Sequence, residues 1–269
     1  MRGQTTILSV EEELRLHRLW FQLVSKFTRS QTSERSDRIV AIQSLAQEVQ
    51  SSGDSNEFMK GLWRRHLLFD LLWYIESGQT KKPAERHAPS WSWQAVEGEV
   101  SQRLISHEKI TEGKKRSLLK VAEVIASNES EITAGVLSLK CPLFVVTNVA
   151  CTAQHLFILE IQTSEGRVEA RLAPDILDFS PSEELFCAEI IREVVFEDVK
   201  KRDIFAVWSN GIVLRRKYTE SLEGVKVTYE RVGRFWMEWP LVKDELDPRS
   251  RSIAKFLLQR REGHVIRIE

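Results

Sequence analysis

Three cysteines, Cys141, Cys151 and Cys187, are the strongest nucleophiles in the chain. A thiol attacks as its thiolate and needs a base beside it. His155 could serve Cys151 or Cys187 in that way, or join them at a metal. The competing and favoured reading makes all three cysteines small buried hydrophobes in strands. The six histidines, His17, His66, His87, His107, His155 and His264, are scattered. His107-Glu108 lacks a second histidine four residues on, so it cannot set two imidazoles on one helix face. No metal site is expected. The acidic pairs Glu183-Glu184 and Glu197-Asp198 could act as general acids or bases, but adjacent acids in loops are usually solvated. The phosphate-cradling and dinucleotide glycine patterns, the serine-nucleophile elbow and the C-x-x-C pair are all absent from the sequence. No catalytic residue and no cofactor follow from the motifs. Asn128-Glu129-Ser130 matches a glycosylation sequon by chance, since no secretory signal accompanies it.

Tryptophan carries more information. Five of the eight, Trp20, Trp63, Trp73, Trp91 and Trp93, fall in the first 93 residues. Trp91 and Trp93 alternate by two and share a face if the chain is extended there. Exposed, they would offer a stacking platform for a sugar, base or peptide. Buried, they would weld helices to a sheet, each ring covering ~150–250 Å².

The elements that would position these residues fall into two textures. Residues 10–78 read as a helical subdomain. Leu16, Leu19, Trp20, Leu23, Val24 and Phe27 form one stripe at helical spacing, and Ile39, Ile42, Leu45, Ala46 and Val49 form a second after an N-cap at Ser36-Asp37. A third helix, re-aimed at Gly61 and apolar on several sides, would centre a small bundle. Residues 79–99 form a Pro/Trp-rich connector. Residues 100–269 read as an antiparallel β-rich domain of many short strands, a sandwich or barrel-like sheet. Asn210-Gly211 and Gly233 read as turns between paired strands. Lys114-Lys115-Arg116 reads as a solvated turn, Ser252–Arg260 as a short helix, and Val265–Ile268 as a closing strand. The fold class expected is α+β, the helical part packed on the sheet.

Composition sets limits on partners. Of 269 residues, 42% are apolar and 29% charged, ordinary for a globular protein. Lys+Arg and Asp+Glu are 39 each, and the first 99 residues hold 13 of each. A nucleic-acid binder or a polybasic membrane anchor would show a basic excess. No apolar run approaches the ~20 residues of a membrane helix. An odd, sparse cysteine set without a signal peptide suits a reducing compartment, so a cytoplasmic location is expected.

An ordered set of segments then resembles one family. Phe58-Met59-Lys60-Gly61-Leu62-Trp63, Leu71-Leu72-Trp73 and Ala88-Pro89-Ser90-Trp91-Ser92-Trp93 are similar to the region downstream of the core in fungal heterokaryon-incompatibility (HET) domain proteins. Ser36–Ile42 resembles that region's preceding helix and Gly135–Leu139 its next strand. Arg231-Val232-Gly233-Arg234-Phe235 resembles its late Arg-Val-Gly-x-Phe hairpin. The likeness spans about residues 15–239. The family's Tyr-x-x-Leu-Ser-Tyr-x-Trp-Gly-like strand, part of its TIR-like core, is absent from this sequence. The resemblance therefore implies a non-catalytic accessory or regulatory region of a self/non-self recognition protein, working through an unidentified protein partner. It also implies structural roles for the matched residues. Ala88-Pro89 would fix an extended entry, Gly61 a sharp turn, and Gly233 a bulge or tight turn. Two other functions stay open on the residues alone: a ligand-binding β-module using exposed Trp91 and Trp93, and an enzyme with an unrecognised site.

Overall fold

The computed structural model describes residues 10–30, 35–51, 57–76, 88–102, 115–125, 129–151, 157–163, 166–175, 183–198, 203–221, 224–240 and 263–269. Two helices lead: α1 (Val10–Arg29) and α2 (Arg35–Ser51). On α1 the buried stripe is His17, Trp20, Phe21 and Val24, while Leu19 and Leu23 face outward. The stripe is rotated from the one expected because Phe21, not a leucine, fills the core beside Trp20. On α2 the contact is narrow. Ile42 and Ala46, one turn apart, are buried, and Val40, Leu45 and Val49 are exposed. Ser36 and Asp37 lie inside the first turn of α2 rather than before it.

The expected third helix is replaced by short extended pieces. Strands β1 (Phe58–Met59) and β2 (Leu62–Trp63) pair across Lys60-Gly61. Both turn residues have positive φ, 47° and 95°, as a tight reversal between strands requires. A 3-10 turn (Arg64–His66), a one-turn helix α3 (Leu67–Asp70) and strand β3 (Trp73–Ile75) follow. Strand β4 (Val100–Gln102) pairs with β3. Leu71, Leu72 and Trp73 are all fully buried. A short run buried on every side has no polar face, so its period does not tell helix from strand. Residues 90–95 also form no strand. They make turns ending in a 3-10 segment at Trp93–Ala95.

The rest is mostly strand, and the molecule is α+β. The strands are β5 (Lys115–Lys120), β6 (Glu123–Val124), β7 (Leu137–Cys141), β8 (Leu143–Cys151), β9 (Phe157–Thr163), β10 (Gly166–Pro174), β11 (Leu185–Asp198), β12 (Asp203–Ser221), β13 (Gly224–Pro240) and β14 (His264–Ile268). A short helix, α4 (Glu129–Thr133), precedes β7. Antiparallel pairing runs β10–β9–β8–β11–β12–β13, and β13 also pairs with β10, so these six strands complete a circuit. Phe144, Leu159, Leu172, Cys187, Val213 and Phe235, one from each of the six, belong to a single buried cluster. β14 joins β13 in parallel and β7 in antiparallel fashion. A second, larger cluster runs from Trp20 and Ile42 on the helices through Trp73 and Trp91 to Ile212 and Ile268 on the sheet. The helices and the sheet share this core.

Three sequence expectations fail in the sheet. Asn210-Gly211 is no hairpin. It lies inside β12, which pairs continuously with β13. Gly233 likewise lies inside β13. The glycines serve close approach rather than reversal. A Cβ on Gly211 would sit 2.0 Å from the Ala188 carbonyl oxygen, and one on Gly233 would sit 2.6 Å from Leu172 Cδ1. The bulge expected near Gly233 is present, because Val213 pairs with Gly233 and Leu214 with Arg231, leaving Val232 extra. Lys115 and Arg116 belong to strand β5, paired with β11, not to a turn. The Ser252–Arg260 helix lies outside the described residues. No helix among the described residues is long and apolar enough to cross a membrane.

Candidate functional site

The bulge at Val232 builds a densely hydrogen-bonded polar cluster. In a regular strand, residues three apart face opposite sides. One extra residue puts Arg231 and Arg234 on the same side, opposite Leu214 and Ile212 of β12. Arg231 is fully buried and fully engaged. Its Nε donates to Asp175 Oδ2 at 2.7 Å and its Nη2 to Asp175 Oδ1 at 3.2 Å. Nη1 donates to the Leu71 carbonyl at 2.5 Å, and Nη2 to the Trp73 carbonyl at 2.6 Å. The guanidinium carbon lies 3.6 Å from the centre of the Trp73 ring, a desolvated cation–π contact. Asp175, just past β10, donates its own amide to the Val232 carbonyl at 2.9 Å. Burial pushes the Asp175 carboxyl up, with Arg231 pulling the other way. Burial likewise lowers Arg231, and Asp175 opposes it.

Around this pair the family-like segments interlock. Trp73 Nε1 donates to the Trp91 carbonyl at 3.0 Å, and Trp91 Nε1 to the Gly135 carbonyl at 2.9 Å. Trp93 Nε1 donates to the Gly61 carbonyl at 2.8 Å. A Cβ on Gly61 would lie 2.8 Å from that same Trp93 nitrogen, so only glycine fits. Ser90 Oγ accepts from the Arg231 amide at 3.0 Å and donates to the Glu269 carbonyl. Ser92 Oγ donates to the Lys60 carbonyl at 2.5 Å and accepts from the Gln94 amide at 3.0 Å. Ala88, Leu62 and Leu72 are buried beside them, and Pro89 meets Gly135. Trp63 joins a neighbouring knot instead. Its amide donates to Asp70 Oδ2 at 2.7 Å, Asp70 Oδ1 bonds His17 Nε2, and its ring stands edge-on to Trp20 at 5.2 Å. Val232 and Phe235 turn the other way, into the cluster shared by the six circuit strands.

The expectation that Trp91 and Trp93 stand open for a ligand does not hold. Their relative exposures are 0% and 4%, and both indole N–H groups are spent on main-chain carbonyls. A ring with both faces packed offers nothing to stack on. The cysteines divide. Cys141 and Cys187 are buried in β7 and β11, while Cys151 is exposed at the end of β8. Burial, and then Glu189, push the Cys141 thiol up to about 12, and burial pushes Cys187 up further still. Held as thiols, these two are poor nucleophiles. His155, their expected base, lies outside the described residues, as do the side chains of Glu197 and Asp198. Glu183 pairs with Arg215 at 3.0 Å and Glu184 with Arg216 at 3.2 Å. No group of three metal-binding side chains occurs among the described residues.

Sequence reasoning singled out Arg231 but missed its partner Asp175, 56 residues away. It also missed the Glu189–Arg192–Ser209 group. There Arg192 Nε donates to Glu189 Oε1 at 2.8 Å and Ser209 Oγ to the same oxygen at 2.7 Å. The signal for that group was present but weak: charged residues inside the apolar run of β11. No family model, curated protein or solved structure matches this chain.

Proposed function

We propose that this chain is a non-catalytic accessory or regulatory region of a HET-type fungal self/non-self recognition protein. It acts by protein–protein contact in the cytoplasm. The observation that carries the reading is convergence. Segments picked out for their order in the sequence, Gly61–Trp63, Leu71–Trp73, Ala88–Trp93 and Arg231–Gly233, each contribute residues to one hydrogen-bonded joint. Residues that jointly build a fold are the kind a family keeps in order. The Arg–Asp pair and the indoles at that joint have their hydrogen-bonding groups satisfied inside the protein, which favours a scaffold over a reaction centre. A barrel-like closure of β8–β13 would give that scaffold a rigid base with no free edge around the circuit.

The test has two arms. The purified chain is incubated with NAD and product is followed by chromatography. In parallel, the chain is expressed in a filamentous fungus and paired with compatible and incompatible strains. The proposal expects no NAD cleavage and an altered incompatibility reaction. NAD turnover by the purified chain, or unchanged reactions in every pairing, would overturn it.

A further inference from the structure

Arg234 lies beside the satisfied Arg231 and is its opposite in bonding. It is fully buried. Among the described residues its one hydrogen bond is from Nη2 to Asn210 Oδ1 at 2.9 Å. Its Nε and Nη1 have no acceptor among the described residues. Its guanidinium carbon lies 5.2 Å from the centre of the Tyr74 ring. The Asp175 carboxylate is bonded to Arg231 and so does not serve Arg234. Burial holds the Arg234 guanidinium down at about 10, with Tyr74 opposing and Arg231 adding to the effect.

A buried cation with neither a counter-charge nor full hydrogen bonding is among the most costly arrangements a core can hold. Proteins relieve it by pairing or by neutralising the group. Arginine gives up its proton too reluctantly for the second route. Asn210 contributes one neutral oxygen, and the two idle nitrogens remain donors in a low-dielectric setting, where an anion is held far more strongly than in water. Full burial of the guanidinium restricts the partner it can take to a small ion. Tyr74 is only half-buried, so its ring borders both Arg234 and the outside.

We propose that Arg234, with Asn210 and Tyr74, forms an internal binding site for one small monovalent inorganic anion of halide size, bound as part of the folded core. Arg231 and Asp175 neutralise each other next to it, leaving the site a single positive charge to balance.

The experiment uses the full chain and the sodium salts of chloride, bromide and gluconate at matched ionic strength. Thermal melts are read against anion concentration. Chloride and bromide should raise the midpoint along a saturating curve, as a ligand that binds only the native state does. Gluconate, too large for the site, should leave it flat. Asn210→Asp, which supplies a carboxylate from the strand itself, should fold and lose the halide dependence. Arg234→Met should lose it too, and Asn210→Asp keeps the test alive if that variant does not fold. Identical melts in chloride and gluconate, or an Asn210→Asp protein with undiminished halide dependence, would overturn the proposal.

Discussion

Arg231 ties the two halves of the molecule together. It is bound to Asp175, to two carbonyls on either side of Leu72 and to the Trp73 ring face. Replacing it with methionine keeps the volume but strands a buried carboxylate, a loss of about 3–5 kcal/mol. Chemical denaturation should show the unfolding free energy falling by that amount, and Asp175→Asn in the same background should recover part of it. The thiols give a second residue-scale prediction. Cys141, held near 12 in the folded protein, stays protonated where the unfolded chain ionises near 9. Stability from it is therefore complete below about pH 9 and is lost as pH rises toward 12. Melting temperature should fall across that window, and Cys141→Ala should flatten the fall. At neutral pH a thiol reagent should label Cys151 first among these three and reach Cys141 and Cys187 only on unfolding. Residue types at the joint were readable in the sequence because tryptophan, glycine and proline carry local meaning. Asp175 was not, since an ion pair across 56 residues leaves no trace in spacing.

At the scale of elements, the glycines explain both what was legible and what was misread. Gly61 was read as a turn and is one, with φ of 95° and Trp93 pressed against it. Asn210-Gly211 was read as a turn and is the middle of a 19-residue strand. Glycine next to asparagine signals positive φ, but it equally signals a backbone allowed to come close, and only the neighbouring strands decide which. The same limit hid β1, β2 and β3, whose short apolar runs fit a helix as well. Alanine substitutions separate the cases. Gly61→Ala suffers both the φ and the clash and should cost about 2–4 kcal/mol. Gly211→Ala, with ordinary φ but a carbonyl 2.0 Å from the new carbon, should force the strands apart and cost at least as much. Gly224→Ala has open space around it and a φ of 119°, so strain alone should cost about 1–2 kcal/mol. Equal losses at Gly211 and Gly224, measured in urea, would contradict this account of close approach.

At the scale of the whole molecule, the α+β class was legible because apolar period and residue type change along the chain, but the strands begin at Phe58 rather than near residue 100. The circuit of six strands was not legible, because the β10–β13 pairing joins segments about sixty residues apart. The central claim is that the joint of Trp73, Trp91, Trp93 and Arg231 makes helices and sheet one cooperative body. Native-state hydrogen exchange tests it most directly. The amides of Arg231 and Ala95 and the indole N–H groups of Trp73 and Trp91 should open only with global unfolding, with the same free energy as the centre of β12. An opening of the joint several kcal/mol below that of β12 would contradict the claim, and would make the helical half a separately unfolding part.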